Sequence, residues 1–169
     1  TATTTLTLSG FIGSETLNST NTSTFNNKNV GTGKSVTVNS ITLANGTNGG
    51  LAANYSISAG QTTTADITAK TLTATASASN KVYDGDNTAT TTLTLSGLIG
   101  SETLDTTNHS STFNNKNVGS NKAVTVNSIT LQDGSGDADN YSISAGQTTT
   151  ANITPKALTV SGITASNKT

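Results

Sequence analysis

Three blocks of this chain are written twice. TATTTLTLSG stands at Thr1–Gly10 and Thr88–Gly97. STFNNKNVG stands at Ser23–Gly31 and Ser111–Gly119, and NYSISAGQTTTA at Asn54–Ala65 and Asn140–Ala151. A repeat of about 87 residues restricts the fold to a small unit built more than once. Within each copy, Leu6 and Leu8, Val36 and Val38, and Ile41 and Leu43 alternate with polar neighbours. That period of two is the signature of strands with one buried face. Threonine, branched at Cβ, suits the pleated conformation. No helical period persists, so the chain reads as all-β.

The spacing between blocks locates length changes. The stretch from Leu17 to Phe25 gains one residue in its second copy, Leu104 to Phe113. The stretch from Leu43 to Asn54 loses two in its second copy, Leu131 to Asn140. Such changes are expected in surface loops. KVYDGDN, at Lys81–Asn87, occurs once. ITAKTLTATASASNK at Ile67–Lys81 is similar to ITPKALTVSGITASNK at Ile153–Lys168. The organisation read from this is a window on a longer array. Residues 1–70 form a first repeat lacking its leading strand, 71–156 a complete second repeat, and 157–169 the leading strand of a third.

In the second repeat, strands are expected at Thr71–Ser79, Thr88–Ser96, Ser111–Asn115, Lys122–Leu131, Tyr141–Ser144 and Thr148–Thr154, with a short piece at Glu102–Leu104. Asp84–Gly85 reads as a tight turn. Ala145–Gln147 reads as a hairpin-like turn between the last two strands. The alternation slips at Asn127–Ser128, which implies a β-bulge. The expected core is Phe113, Val124, Val126, Ile129, Leu131, Tyr141, Ile143 and Ile153, with the equivalent residues buried in the first repeat. Six to eight short strands with frequent turns suggest an Ig-like β-sandwich. Two such sandwiches are expected lengthwise, meeting near Lys70.

The run KVYDGDNTAT, LTLSGLIGSETL, FNNKNVG, KAVTVNSITL, NYSISAGQTTTANITPKALT resembles the YDG repeat, and is similar to the related MBG modules. The resemblance covers the second unit end to end and the first from Thr1 onward. It implies an extracellular β-sandwich, repeated in large bacterial surface and secreted adhesins of the filamentous-haemagglutinin type. It carries over no catalytic residues.

Composition excludes several chemistries. There is no Cys, hence no disulfide or thiolate metal site. There is no Arg, and the eight Lys are scattered, which argues against nucleic acid and anionic membrane surfaces. No apolar run approaches the length needed to span a bilayer. With 31% hydrophobic residues the core must be thin, but a net charge of −1 is not that of a disordered chain.

The candidate sites are few. Asp133, Asp137 and Asp139 in DGSGDADN are the calcium candidates, since calcium is held by clustered oxygens. The equivalent loop, Ala44–Tyr55, has no acid, and the spacing misses the EF-hand pattern. A solvated turn is the competing reading, and no cofactor is expected. His109, without a His counterpart in the first repeat, has no evident partner set for catalysis, so no enzyme activity is expected. Lys116, Asn117 or Asn140, and Glu102 recur as Lys28, Asn29 or Asn54, and Glu15, the residue types of an internal Lys–Asn amide cross-link. The sequons at Asn18, Asn108 and Asn140 occur at the frequency chance gives in a chain rich in Asn, Ser and Thr.

The function expected is that of a stalk. Asp66–Thr73 joins the repeats without a Gly, and Pro155 stands at the second junction, where it restricts the backbone. The alternative is a binding module that recognises host glycan or protein through Leu17–Phe25 or Leu43–Asn54. For the segment Ala157–Lys168 two fates are open. It fills the vacant leading position in a neighbouring molecule, or it stays with its own second unit.

Overall fold

A computed structural model describes all residues, Thr1–Thr169. The protein is all-β. Its only helices are single 3-10 turns at Ala52–Asn54 and Ala138–Asn140, and no helix is long and apolar enough to cross a membrane. The chain divides into two compact units, Thr1–Ala69 and Lys70–Thr169.

The first unit is a three-stranded antiparallel sheet of β1 (Leu17–Phe25), β2 (Gly31–Asn45) and β3 (Thr62–Ile67), in that order. Val36 and Val38, two residues apart on β2, are buried with Ser23 opposite. Leu17–Phe25 is therefore a strand where the length change had suggested a loop. In the second unit the extra residue breaks the equivalent strand in two, with Thr106–Asn108 between the pieces.

The second unit starts with β4 (Lys70–Thr71), β5 (Thr73–Ala78), β6 (Lys81–Val82) and β7 (Thr91–Ser96). It continues with β8 (Leu104–Asp105), β9 (His109–Phe113), β10 (Gly119–Ile129), β11 (Gln132–Asp133), β12 (Tyr141–Ser142) and β13 (Thr148–Thr154). The main sheet has the order β6-β13-β10-β9, and three pairs flank it: β5 with β7, β8 with β11 and β4 with β12. β5 and β7 are antiparallel, Thr73 opposite Ser96 and Ala78 opposite Thr91. Phe113, Val124, Ala151 and Ile153 form the core, and Ala78, Tyr83 and Ala89 pack against it.

The phase slip is a bulge. Val126 faces Ser111 and Ser128 faces Ser110, so Asn127 is the extra residue. The first unit repeats the irregularity, Ser40 facing Thr22 and Val38 facing Ser23. A second irregularity falls between Gly119 and Lys122, and between Gly31 and Lys34. Its left-handed residue is Asn121 in one copy and Gly33 in the other. The amide of Asn121 donates to the Asn152 side chain at 2.8 Å, and that of Gly33 to Asp66 at 2.8 Å. Different side chains satisfy the same backbone kink.

Three expectations need correction. Ile129, Leu131 and Ile143 are half-buried and line an open hollow beside Tyr141. β13 pairs with β10 only up to Thr125, so the strand beyond the bulge lacks a neighbour on that side. In the first unit only Val36 and Val38 of the expected apolar core are buried. Phe25, Ile41, Leu43, Tyr55 and Ile67 are half-buried and Ile57 is exposed. Finally, Ala145–Gln147 is no hairpin turn. β12 pairs with β4 and β13 with β10, and Gly146 and Gln147 bond to the backbone of Val126. The segment carries the chain from one sheet to another.

Candidate functional site

Polar side chains in defined geometry serve the chain itself. KVYDGDN is a clamp. Lys81 Nζ lies 2.8 Å from Asp84 and 2.7 Å from Asp86, and 5.9 Å from the centroid of the Phe113 ring. Asp86 also accepts from the amide and hydroxyl of Thr88, at 2.9 and 2.7 Å. These bonds, the one from Lys81 foremost, hold the Asp86 carboxyl at about 2, and the Lys81 bond also lowers Asp84. The turn needs Gly85, whose φ is +96°. Tyr83, between the acids and β6, is set against the core.

A second constellation occurs in both units and was not foreseen. The phenol of Tyr55 donates to Glu15 at 2.5 Å and accepts from the amide of Ile12 at 3.1 Å. Tyr141 does the same with Glu102 at 2.5 Å and Ile99 at 3.2 Å. The bond to Glu15 pushes the Tyr55 phenol above its ordinary value. Each pair ties the GSET corner to the chain some forty residues on. Co-occurrence of Glu15 with Tyr55 and Glu102 with Tyr141 in the two copies was the only signal for it. Glu102 of the cross-link set is thus committed to Tyr141, while Lys116 lies exposed in the turn between β9 and β10.

His109 is half-buried at the start of β9. Nδ1 lies 2.6 Å from the Thr106 carbonyl, and Nε2 lies 2.9 Å from the Thr91 hydroxyl. Its structural counterpart is Asn21, whose side-chain oxygen accepts from the Thr4 hydroxyl at 2.6 Å.

The acidic loop also turns inward. Asp133 accepts from the amide of Ala138 at 2.7 Å and Asp137 from that of Asp139 at 3.1 Å. Both acids stabilise the 3-10 turn that precedes Tyr141, an Asx-type use of the side chain. Asp139 is exposed, and no cluster of three or more His, Cys, Asp or Glu side chains in metal-holding proximity forms anywhere. The loop docks on Thr103, whose amide donates to Ser135 at 2.9 Å. The amide of Ser135 donates back to the Thr103 hydroxyl at 3.1 Å, as in the first unit that of Thr47 donates to the Thr16 hydroxyl at 2.9 Å.

A further concave surface lies in the first unit. A cavity of about 380 Å³ is lined by Ala2–Leu6, Phe25, Val36, Val38 and Gln61–Ala65.

A sequence model of the YDG domain matches residues 1–65 and again residues 68–151. The chain belongs to the YDG domain family. No curated protein and no solved structure matches it. The two YDG matches leave only two residues between them, and each spans the Tyr–Glu pair of its own unit and ends within that unit's last strand, β3 or β13. The Lys81 clamp lies within the second match.

Proposed function

We propose that this YDG chain is a pair of tandem Ig-like β-sandwich repeats from the stalk of a bacterial surface adhesin, extracellular and without catalytic activity. Its relatives in this reading are the MBG modules of filamentous-haemagglutinin-like proteins. The repeats act as spacers that hold a binding region away from the cell. The observation that carries the reading is the succession of two YDG matches with two residues between them. Asp66–Thr73, which runs from one repeat into the next, contains no Gly, unlike the Gly/Ser-rich sequences of flexible linkers. The inward use of Asp133, Asp137, His109, Glu15 and Glu102 agrees with it, since these groups hold backbone and side-chain partners within their own unit.

Two measurements test the proposal. Stretched by its ends in a force spectrometer, the chain should unfold in two separate events, one per unit. On an array of host glycans and matrix proteins it should bind nothing. Saturable binding to one glycan class, lost on altering Gly46–Leu51 or Gln132–Asp137, would make it a ligand-binding module instead.

A further inference from the structure

The loop that is two residues longer in the first unit carries Asn48–Gly49 as its extra pair. Around that pair the two loops are bonded alike. The amide of Gly46 donates to the Gly50 carbonyl at 3.1 Å, as that of Gly134 donates to Gly136 at 3.2 Å. The side-chain oxygen of Asn45 accepts from the Ala52 amide at 2.8 Å, as that of Asp133 accepts from Ala138 at 2.7 Å. Asn48 and Gly49 stand outside this frame, at φ +56° and +86°, and both are exposed. The second unit, with β5 in place, also exposes Asp133–Ser135 of its loop, so exposure belongs to the loop itself.

The longer loop thus holds two Asn–Gly pairs in opposite states. An Asn–Gly pair can close on itself, because a glycine has no Cβ to shield its amide nitrogen from the preceding side chain. In Asn45–Gly46 both reacting groups are engaged. The Gly46 amide is bonded to Gly50, the Asn45 side-chain oxygen to Ala52, and Asn45 is the last residue of β2. In Asn48–Gly49 neither the glycine amide nor the asparagine oxygen makes a hydrogen bond within the protein. The one bond of the Asn48 side chain runs from Nδ2 to the Ser14 carbonyl, at 2.9 Å. The Asp–Gly pairs are restrained as well, Asp84 by Lys81 and the Asp86 amide, and Asp133 by Ala138.

We propose that Asn48 is a site of spontaneous covalent modification, closing to a succinimide and opening to aspartate and isoaspartate, while Asn45 is spared. The Gly49 nitrogen bonds to Cγ of Asn48 as the Cγ–Nδ2 bond breaks, and Nδ2 leaves as ammonia with the proton that the glycine amide gives up. Water then opens the ring at either carbonyl. One opening leaves aspartate, and the other reroutes the backbone through the side chain as isoaspartate.

The modification acts on how the loop docks. Either product lacks the Nδ2 donor, so the bond to Ser14 is lost. The new negative charge also arises near an existing one, since Oε1 of Glu15 lies 3.9 Å from where a Cβ on Gly49 would stand. Ser14 and Glu15 belong to the corner that Tyr55 ties down, so the change loosens the first unit. The second unit has no Asn–Gly pair and is untouched.

The folded chain, held at mildly alkaline pH beside a sample unfolded in urea, is mapped by peptide mass spectrometry. The fragmentation must separate position 45 from 48 and isoaspartate from aspartate. In urea both asparagines should convert. In the folded chain Asn48 should convert at least about tenfold faster than Asn45, whose pair must first break two hydrogen bonds. Asn48→Asp, which stands for one product, should lower the melting temperature of the first unit and leave that of the second. A folded chain in which Asn48 converts no faster than Asn45 overturns the proposed site, and an Asn48→Asp chain that melts unchanged overturns its effect on docking.

Discussion

The Nε2 atom of His109 lies 2.9 Å from the hydroxyl of Thr91, in the position where the side-chain oxygen of Asn21 meets the hydroxyl of Thr4 at 2.6 Å. Both threonines in turn contact a serine, Ser111 at 2.7 Å and Ser23 at 2.6 Å. Nδ1 faces the Thr106 carbonyl, and Nε2 stands within hydrogen-bond reach of both the hydroxyl and the backbone carbonyl of Thr91, the latter at 3.1 Å. A histidine and an amide thus do the same work of fixing one strand across another. His109→Asn should leave the second unit close to wild-type stability. His109→Ala should cost it about 1–2 kcal/mol, the loss of a half-buried bonded group. Urea unfolding followed separately for the two units checks this, since one transition need not describe both.

The Tyr141–Glu102 bond makes a second test. Tyr141 is buried, and its phenol both donates to a carboxylate and accepts from the amide of Ile99. Tyr141→Phe should destabilise the second unit by about 2 kcal/mol, in the range of hydrogen bonds to charged groups. The GSET corner should gain amide hydrogen exchange at Ile99 before the rest of the unit does.

Gly50 shows the demand that loop docking places on one residue. A Cβ there would stand 2.0 Å from the carbonyl oxygen of Thr16, and one at Gly119 would meet only the Lys122 side chain, at 3.4 Å. Gly50→Ala must displace backbone and should lower first-unit stability by about 2 kcal/mol or more. Gly119→Ala meets a flexible chain and should be near neutral. Thermal melting of both variants decides it.

The Lys81 clamp sets an acid limit. Asp86 falls from an ordinary 3.8 to about 2 in the folded chain. A group whose pKa is lowered by folding adds stability above its unfolded value, and this is lost as pH falls toward the folded one. The contribution should therefore be complete above about pH 5 and fade between about pH 4 and 2. Asp86→Asn should flatten that part of the second unit's stability curve. A curve that keeps its slope would place the acid sensitivity elsewhere.

Much of this was legible in the residues themselves. The alternation of Val124 and Val126 marked a strand with a buried face, and both are fully buried. The phase change after Val126 marked the bulge at Asn127. These are local properties, set by a side-chain period of two and by the steric preference of branched residues. Family membership was legible for a related reason, since KVYDG, NKNVG and NYSIS are contiguous words.

What the tertiary structure alone decided involves residues far apart in the chain. Tyr141 meets Glu102 across 39 positions, and His109 meets Thr91 across 18; no local pattern encodes such meetings. Burial was decided the same way. Ile129 and Leu131 resume the alternation one residue out of phase with Val124 and Val126, but lie past the point where β13 accompanies β10, so they are only half covered. Phe25 and Phe113 share the same nine-residue word, yet one is half-buried and the other sealed. The difference is the strand that lies over each, because a side chain leaves water only when a second layer arrives to exclude it.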